Sequence, residues 1–245
     1  LGEDALRLGR MLAQLMPQEA EVHGLIALME IQASRTAARL DRDGQPVLLL
    51  DQDRRRWDRL LIGRGLAALE RAERLGGHTG SYTLQAAIAA CHARAIRGED
   101  TDWKRIAELY GELVEVTPSP VVELNRAVAV SMAEGPAAGL AILQTLLDEP
   151  LLRDYHLLPS VQGDLLYRLG RLGDAREALL RVAAMIRNER EKTLLTHRAD
   201  ACRIARARTS PSVGDVDVYL RPVRHARHLM THEPGQSDAC LPRSG

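Results

Sequence analysis

The sequence predicts an all-α protein, with antiparallel helical hairpins stacked as an irregular tetratricopeptide-like superhelix. Apolar residues recur at spacings of three and four along most of the chain, as at Ile106, Leu109 and Leu113, which is typical of helices with one buried face. Period-two alternation, the pattern of a half-buried strand, is nearly absent. Turn signals rich in glycine and proline separate the stripes at short intervals, so we expect about ten helices packed as antiparallel neighbours.

The first elements of the chain are the least regular. The chain opens inside a helical pattern formed by Leu6, Met11, Leu12 and Leu15. We therefore expect it to be a piece of a longer protein. The apolar run at 47–50 resembles a strand, but a lone strand of this length has nothing to pair with, and we interpret it as a buried extended linker.

The clearest repeat unit lies in the second half of the chain. Its residues follow the tetratricopeptide pattern of small, large, turn-forming, large, small, large and small positions, except that the last residue is larger than expected: Gly163, Leu166, Gly170, Leu172, Ala175, Leu179 and Val182. In such a repeat, small residues lie where the two helices of a hairpin touch, and large residues lie where neighbouring hairpins interlock. Gly135 lies 35 residues before Gly170, and we expect each of these glycines at a turn between two helices.

Composition and charge exclude several classes of protein. Lys plus Arg and Asp plus Glu each number 33 in 245 residues, so the formal charge is zero, whereas a protein built mainly to hold nucleic acid carries a basic excess. Aromatic residues make up only 3% and Phe is absent, which argues against a base-stacking surface. No apolar run approaches the roughly 20 residues of a membrane helix, and the cysteines are too scattered for a disulfide framework. We expect a cytoplasmic protein that does not contact a membrane.

The character of the sequence changes near residue 208. Residues 1–208 carry the helical periodicity, and we expect them to form one helical interaction domain. In 209–245, polar, Pro, Gly and His residues replace that periodicity, and we expect a disordered tail. This tail contains a zinc-like set, namely His225, His228, His232 and Cys240. We expect no metal there, because the set lacks the two close ligand pairs of a strong zinc pattern.

No motif predicts catalysis or a cofactor. The segment 41–44 faintly resembles a calcium loop, but its glycine comes fourth and Gln52 stands at the position of the last ligand, so we interpret it as an Asp-Gly turn. Cys91 and His92 are adjacent on a predicted helix and point about 100° apart, which prevents a thiolate–imidazolium pair. Since the patterns of common hydrolases and nucleotide-binding enzymes are also missing, we expect neither an enzyme nor a cofactor.

The polar segment 51–58 is more informative. Acidic residues followed by arginines and a tryptophan usually mark the start of a helix, with the acids at its N-terminus and Trp57 facing the core. The other interpretation is a polar surface that recognises a partner. With further polar positions along the chain, the candidate partner-binding or structural residues are Asp51, Asp53, Arg54, Trp57, Asp102, Trp103, Asn125 and Arg126.

Several strings of the sequence are longer and more specific than helix periodicity requires. They are 21–29, 51–58, 84–90 with His92, 99–103 and 118–130. In this order they closely resemble the C-terminal extension of a group of extracytoplasmic-function (ECF) RNA polymerase sigma factors, which belong to the sigma-70 family. The resemblance covers residues 1–206, and the tail from Thr209 departs from the pattern of that family.

The resemblance implies a tetratricopeptide-like regulatory domain that acts in transcription initiation through protein contacts. It also implies two DNA- and polymerase-binding sigma domains before Leu1, so this piece would not itself bind promoter DNA. The expected partners are its own or neighbouring sigma domains, RNA polymerase or a regulatory protein. Two alternatives remain, a stand-alone tetratricopeptide-like adaptor and an orphan hydrolase, and the missing catalytic motifs disfavour the second.

Overall fold

The computed structural model describes residues 2–45, 47–186 and 189–207. Within these ranges the chain forms ten α-helices, short 3-10 turns and no β-strand, which confirms the predicted class of stacked helical hairpins. The helices are α1 (Gly2–Leu15), α2 (Ala20–Ser34), α3 (Arg59–Arg74), α4 (Ser81–Arg94), α5 (Trp103–Val116), α6 (Pro120–Ala133), α7 (Pro136–Gln144), α8 (Leu157–Arg168), α9 (Leu172–Met185) and α10 (Glu189–Ala207). None of these helices combines the length and the apolar character needed to cross a membrane.

The C-terminal half consists of consecutive hairpins. Helix α6 packs against α7 and α8 packs against α9, which in turn packs against α10. Gly135 and Gly170 lie in the two tight turns, with φ angles of 104° and 72°, a backbone region that glycine adopts without strain. The expectation that both glycines lie at turns between helices is confirmed.

Small residues lie at the contact between the helices of each hairpin. A Cβ atom added to Gly163 on α8 would lie 3.2 Å from Cγ of Leu179 and 3.6 Å from the main-chain oxygen of Ala175, both on α9. Gly139 on α7 has the same role against α6, where an added Cβ would lie 2.5 Å from Cβ of Ser131. The contact at Gly163 confirms that this residue lies where the two helices of the repeat at 163–182 touch.

One apolar cluster connects the C-terminal hairpins. Leu143, Leu157, Leu165 and Leu179 are almost completely buried and belong to it. Burial of each leucine side chain stabilises the folded state by about 1.5–3 kcal/mol relative to an exposed one. The hairpins therefore stabilise one another through this shared cluster, as expected for stacked repeats.

Helix α2 is the centre of the N-terminal half and packs against α1, α3 and α4. Its Ile31 is buried in a second apolar cluster that also contains Leu49, Trp57 and Leu69. The long connection between α2 and α3 lies against this cluster and includes three 3-10 turns, Thr36–Ala38, Leu49–Asp51 and Arg54–Arg56. This connection, rather than a tight glycine turn, determines how α2 and α3 are joined.

Two expectations for this connection can be compared with its geometry. Leu48 is extended and buried, as expected for a buried linker, but the chain turns at Leu49 into a 3-10 turn, so the extended part is shorter than predicted. Oδ1 of Asp41 accepts hydrogen bonds from the main-chain nitrogens of Asp43 and Gln45 at 2.9 and 2.8 Å, and Gly44 has a φ of 72°. The ordinary Asp-Gly turn is thus confirmed. The tail at 209–245 and its zinc-like set lie outside the described residues.

Candidate functional site

The buried side chain of Arg54 joins the connection before α3 to the end of α4. Its Nη1 donates hydrogen bonds to the main-chain oxygens of His92 and Ala95, the latter at 3.0 Å, and its Nη2 donates to Oγ1 of Thr101 at 3.3 Å. Main-chain oxygens at the C-terminal end of a helix lack helical partners and lie at the negative end of its dipole. Arg54 therefore caps α4 from a distant part of the sequence.

Two arginines contact the indole ring of Trp57. The guanidinium carbon of Arg54 lies 4.8 Å from the ring centroid and that of Arg35 lies 5.8 Å from it. Trp57 is only 3% exposed, and a cation–π contact removed from water contributes about 2 kcal/mol. The indole ring of Trp57 thus helps to stabilise the positive charges of Arg35 and Arg54 in the protein interior.

His92, in the last turn of α4, completes this arrangement. Its ring meets the ring of Trp103 edge-on, with 5.3 Å between the centroids and 77° between the planes. Burial, and then the positive charges of Arg35 and Arg54, lower the pKa of His92 to about 3, so the imidazole is neutral at physiological pH. We name the following set the arginine–tryptophan cluster: Arg35, Arg54, Trp57, His92 and Trp103.

The guanidinium groups of Arg35 and Arg54 in the cluster are largely shielded from water. Burial lowers the pKa of Arg35 to about 9, and the charges of Arg39 and Arg54 act in the same direction. Burial also lowers the pKa of Arg54, while the nearby Asp100 raises it. Both shifts mean that the folded structure disfavours the charged guanidinium relative to water, so the contacts that Arg54 makes must offset this cost.

Several polar atoms of the cluster have no hydrogen-bond partner among the residues that the structure describes. They are Nε of Arg54, Nε1 of Trp57 and both ring nitrogens of His92. An unpaired buried polar group costs about 1–3 kcal/mol. We therefore expect the loss of a further hydrogen bond in the cluster to lower the free energy of unfolding strongly.

The structure brings together three of the residues predicted as candidates. Arg54 and Trp57 are in direct contact, and both Arg54 and Trp103 contact His92. The site prediction did not include His92 or Arg35. For His92 a signal was available, because it closes the string at 84–90, whereas no feature of the sequence marks Arg35.

Two aspartates of the candidate set begin a 3-10 turn or a helix, and the third ends a 3-10 turn. Asp53 accepts a hydrogen bond from the main-chain nitrogen of Arg55 at 3.1 Å and begins a 3-10 turn. Asp102 begins α5 and accepts from the main-chain nitrogen of Arg105 at 3.0 Å. Asp51 ends the 3-10 turn Leu49–Asp51.

The helix-start interpretation of 51–58 is confirmed in its main points. Asp58 is the residue that begins α3, since its Oδ1 accepts from the main-chain nitrogens of Leu60 and Leu61 at 2.8 and 3.1 Å. Trp57 faces the core, as predicted. The exception is Arg54, which a solvated helix start would leave exposed and which is instead buried against α4.

The remaining candidates, Asn125 and Arg126, lie on α6 and not in the arginine–tryptophan cluster. Arg126 pairs with Glu123 one turn earlier on the same helix, at 2.5 Å. Asn125 is buried, and its Oδ1 has no hydrogen-bond partner in the described part of the chain. This pair of residues therefore does not extend the cluster into one larger site.

A second polar contact, which the sequence analysis missed, joins α2 to the start of α4. The carboxylate of Glu21 accepts hydrogen bonds from the main-chain nitrogens of Tyr82 and Thr83 at 2.9 and 3.0 Å, and from Oγ1 of Thr83 at 2.8 Å. A Cβ atom added to Gly24 would lie 2.5 Å from the same Oγ1. An acid at a helix N-terminus is favourable, and the absence of a side chain at Gly24 allows the close approach. We name this contact the Glu21 joint.

Cys91 is buried beside the arginine–tryptophan cluster. Burial raises the pKa of the Cys91 thiol, which favours its unreactive protonated form. The ring of the adjacent His92 contacts Trp103. Among the described residues, no group of three or more His, Cys, Asp and Glu side chains could hold a metal ion.

Comparison with known proteins places the cluster in context. Residues 1–73 match a family of unknown function (DUF6596). The chain is 46% identical, over 200 residues, to an uncharacterized protein of Rhizobium meliloti (strain 1021). That alignment covers 82% of this chain and 47% of the relative, so the chain spans about half the length of the relative. No solved structure matches the chain.

The family match divides the arginine–tryptophan cluster. Arg35, Arg54 and Trp57 fall within the matched residues 1–73, whereas His92 and Trp103 lie beyond them. The matched region therefore ends inside a structural unit, because Arg54 makes its hydrogen bonds to residues of and after α4.

Proposed function

We propose that this chain is the C-terminal regulatory domain of an ECF-type RNA polymerase sigma factor and acts in transcription initiation through protein contacts. Its partners would be the sigma domains that precede it, RNA polymerase or a regulatory protein in the cytoplasm. It would not read promoter DNA itself, because a chain with zero formal charge releases few counterions on binding DNA.

The observation that supports this proposal is that the strings resembling the sigma-factor extension meet in space. Arg54, from the string 51–58, binds the main chain of His92 and the side chain of Thr101, which belong to two other strings. Glu21 and Gly24, from the string 21–29, contact α4 immediately before the string 84–90. The strings that resemble the extension in sequence thus contact one another in the folded chain. Such contacts are expected if the resemblance extends over the whole domain.

The relative from Rhizobium meliloti gives independent support for a longer parent protein. The chain covers only 47% of that relative, which leaves room for two further domains of ordinary size. A regulatory domain of this kind needs surfaces for protein contacts, and stacked helical hairpins provide extended ones.

The test uses the gene of the full-length protein. One strain lacks the whole gene, a second lacks the part that encodes this chain, and a third carries Arg55→Met, a change at an exposed side chain. Transcripts are measured genome-wide, and protein levels are measured by immunoblot. We expect each deletion to change the levels of a set of transcripts by about fivefold or more relative to the parent strain. The sets of the two deletions should differ in membership or in size of effect, since a regulatory domain alters the activity of the domains it accompanies. Arg55→Met should match the parent strain.

Two outcomes would contradict the proposal. If deletion of the whole gene changes no set of transcripts with a common promoter sequence, the parent is not a sigma factor. If the partial deletion leaves transcription and its regulation as in the parent strain, the regulatory role is wrong. Binding of a promoter fragment by the 245-residue chain alone, tighter than about 1 µM at physiological salt, would contradict the claim that this domain does not read DNA.

One observation favours the second candidate, a stand-alone tetratricopeptide-like adaptor. A cavity of about 200 Å³ lies between α7, α8 and α9, with Leu140 and Leu166 in its wall. Its rim is polar, because Arg181 donates a hydrogen bond to Oε1 of Gln162 at 2.6 Å. In a stand-alone adaptor, this cavity would receive a side chain of the partner protein. A sigma-type coding sequence directly upstream, in the same reading frame, would favour the first candidate over this one.

A further inference from the structure

The first helix of the chain has apolar residues on two opposite sides. On the inner side, Gly9 allows α1 to approach α2, since a Cβ added there would lie 3.4 Å from Sδ of Met29. Leu6 is buried on the same side. On the opposite side, a second set of large apolar residues is exposed, and we name it the outer face of α1: Leu8, Met11, Leu12 and Leu15, exposed at 60%, 51%, 36% and 78%.

The apolar residues of the outer face have the spacing of a helix side that packs against another helix. Leu8, Leu12 and Leu15 are four and three residues apart, so their side chains form one stripe. The stripe lies opposite Leu6 and Gly9, about half a turn away. A surface helix normally has one apolar stripe towards the core and a polar opposite side. An apolar stripe on both sides is typical of a helix that lies between two layers.

The orientation of α1 is fixed, so the outer face does not rotate into the core. Nε of Arg10 donates a hydrogen bond to Oε1 of Glu30 on α2 at 2.7 Å, and the Glu30 side chain is only 2% exposed. Arg10 is also the one charged residue between Leu8 and Met16. From Leu8 to Leu15 the outer face is therefore apolar, and an apolar partner surface would complement it.

The area of the outer face indicates which kind of partner covers it. Its four side chains expose roughly 400 Å², which is within the range of functional patches on monomeric proteins. A stable dimer of two copies buries about 800 Å² on each partner, roughly twice this area. A covalently attached segment needs less area, because its effective concentration reaches the millimolar range.

We infer that the outer face of α1 is the docking surface for an apolar helix face of the polypeptide that precedes Leu1 in the full-length protein. This inference rests on the proposed function, in which further domains lie before this chain. The chain covers 47% of its relative, and α1 is the first helix after the point where a preceding domain would join. The outer face is then the interface through which this domain senses or restrains the preceding one.

The test measures the reaction of single engineered thiols with a maleimide reagent. In a Cys240→Ser background, the native cysteines in the described residues, Cys91 and Cys202, are buried. Leu15→Cys reports on the outer face, and Leu151→Cys is the matched control, because both leucines are 78% exposed. Labelling of each site is followed by peptide mass spectrometry, in this chain and in the full-length protein.

We expect the two sites to react at rates within about twofold of each other in the 245-residue chain. In the full-length protein, Leu15→Cys should react about tenfold more slowly than Leu151→Cys, and dilution should leave that ratio unchanged. Equal rates in the full-length protein would overturn the inference. Protection that disappears on dilution would assign the face to a second copy, and protection in this chain that disappears on removal of 208–245 would assign it to its own C-terminal segment.

The result is independent of the transcription experiment. Labelling requires neither promoter nor polymerase, so a protected outer face together with an unaltered transcript profile would reject the regulatory function and retain the docking surface. An unprotected face together with a changed transcript profile would reject the docking surface alone. A second variant, Leu8→Gln with Leu15→Gln, should leave the thermal stability of this chain unchanged and should expose new protease sites between the domains of the full-length protein.

Discussion

The two halves of the chain are held together in different ways. In the C-terminal half, helices that follow one another in the sequence touch through small residues, as at Gly163 against Leu179. In the N-terminal half, α2 packs against its successor α3 and also against α4, which does not follow it directly in the sequence, and a polar side chain, that of Arg54, joins the connection between α2 and α3 to the end of α4. Apolar packing thus joins the helices in both halves, and in the N-terminal half buried hydrogen bonds add a connection between elements that are distant in the sequence.

The difference matters for how each half responds to a change. Apolar contacts are many and individually weak, so a hairpin loses stability in proportion to the volume that is changed. In a buried polar network, removal of one member leaves its hydrogen-bond partners unsatisfied. The arginine–tryptophan cluster should therefore be the most sensitive part of the molecule.

The largest effect is expected for Arg54→Met. The substitution keeps an apolar stem but removes the donors to the oxygens of His92 and Ala95 and to the hydroxyl of Thr101. Since each unsatisfied acceptor costs about 1–3 kcal/mol, the free energy of unfolding should fall by about 4 kcal/mol. Urea denaturation followed by circular dichroism measures the change.

The neighbouring Arg55→Met is the matched control for Arg54→Met. Arg55 is 91% exposed and its guanidinium pairs only with Asp53 among the described residues, so its removal should leave the denaturation midpoint unchanged within error. If both variants unfold at the same urea concentration, Arg54 is not the main link between the two elements, and the contrast between the two halves of the molecule is wrong.

In the C-terminal half, Gly163→Leu should have the next largest effect. Even a Cβ atom at this position would lie 3.2 Å from Leu179, so a leucine must displace the neighbouring helix, at a cost of about 2–4 kcal/mol. Gly163→Ala is the graded control. The end of the Leu179 side chain has room to adjust, and alanine favours a helix over glycine by about 1 kcal/mol, so the melting temperature of this variant should stay close to that of the parent. An unchanged melting temperature for Gly163→Leu would show that the repeat register is wrong.

The same contrast explains how much of the fold could be predicted from the sequence. The hairpin at 163–182 was predictable, because its spacing of small and large residues is local and both helices contribute neighbouring positions. The turn glycines Gly135 and Gly170 were predictable for the same reason. Helix starts at Asp58 and Asp102 follow from a short rule about acids at helix N-termini, which needs no knowledge of distant residues.

The polar connections were not predictable in the same way. Arg54 lies among three consecutive arginines, and only the position of the end of α4 distinguishes it from the exposed Arg55 beside it. Glu21 resembles any surface acid of a helical first turn until α4 is placed against it. Which charge becomes buried depends on contacts between residues far apart in the chain, and periodicity carries no information about these.

Acid should weaken the N-terminal half through His92. The pKa of its imidazole is about 3 in the folded protein, against an ordinary value of 6.5, so the unfolded chain binds more protons between these values and stability falls as the pH falls. Between pH 7 and pH 5 this group alone should remove about 2 kcal/mol from the free energy of unfolding. Urea denaturation at a series of pH values measures the slope.

The control for this pH dependence is His92→Phe, which keeps an aromatic ring against Trp103 but does not titrate. The free energy of unfolding of this variant should decline less between pH 7 and pH 5 than that of the parent protein, while other acidic and basic groups contribute equally to both. Parallel pH profiles would mean that His92 is accessible to water and that the cluster is not a buried site.

The smallest effect is expected at the start of α5, where the two halves meet. Asp102→Ala removes the hydrogen bond from the main-chain nitrogen of Arg105 to Oδ1 of Asp102, and loss of such a cap costs about 1 kcal/mol. Ser119→Ala at the start of α6 is the control, because within the described residues the Ser119 side chain makes no such bond, and the change should be close to zero. The two free energies of unfolding are compared by urea denaturation. Equal losses would show that the Asp102 cap does not stabilise the start of α5.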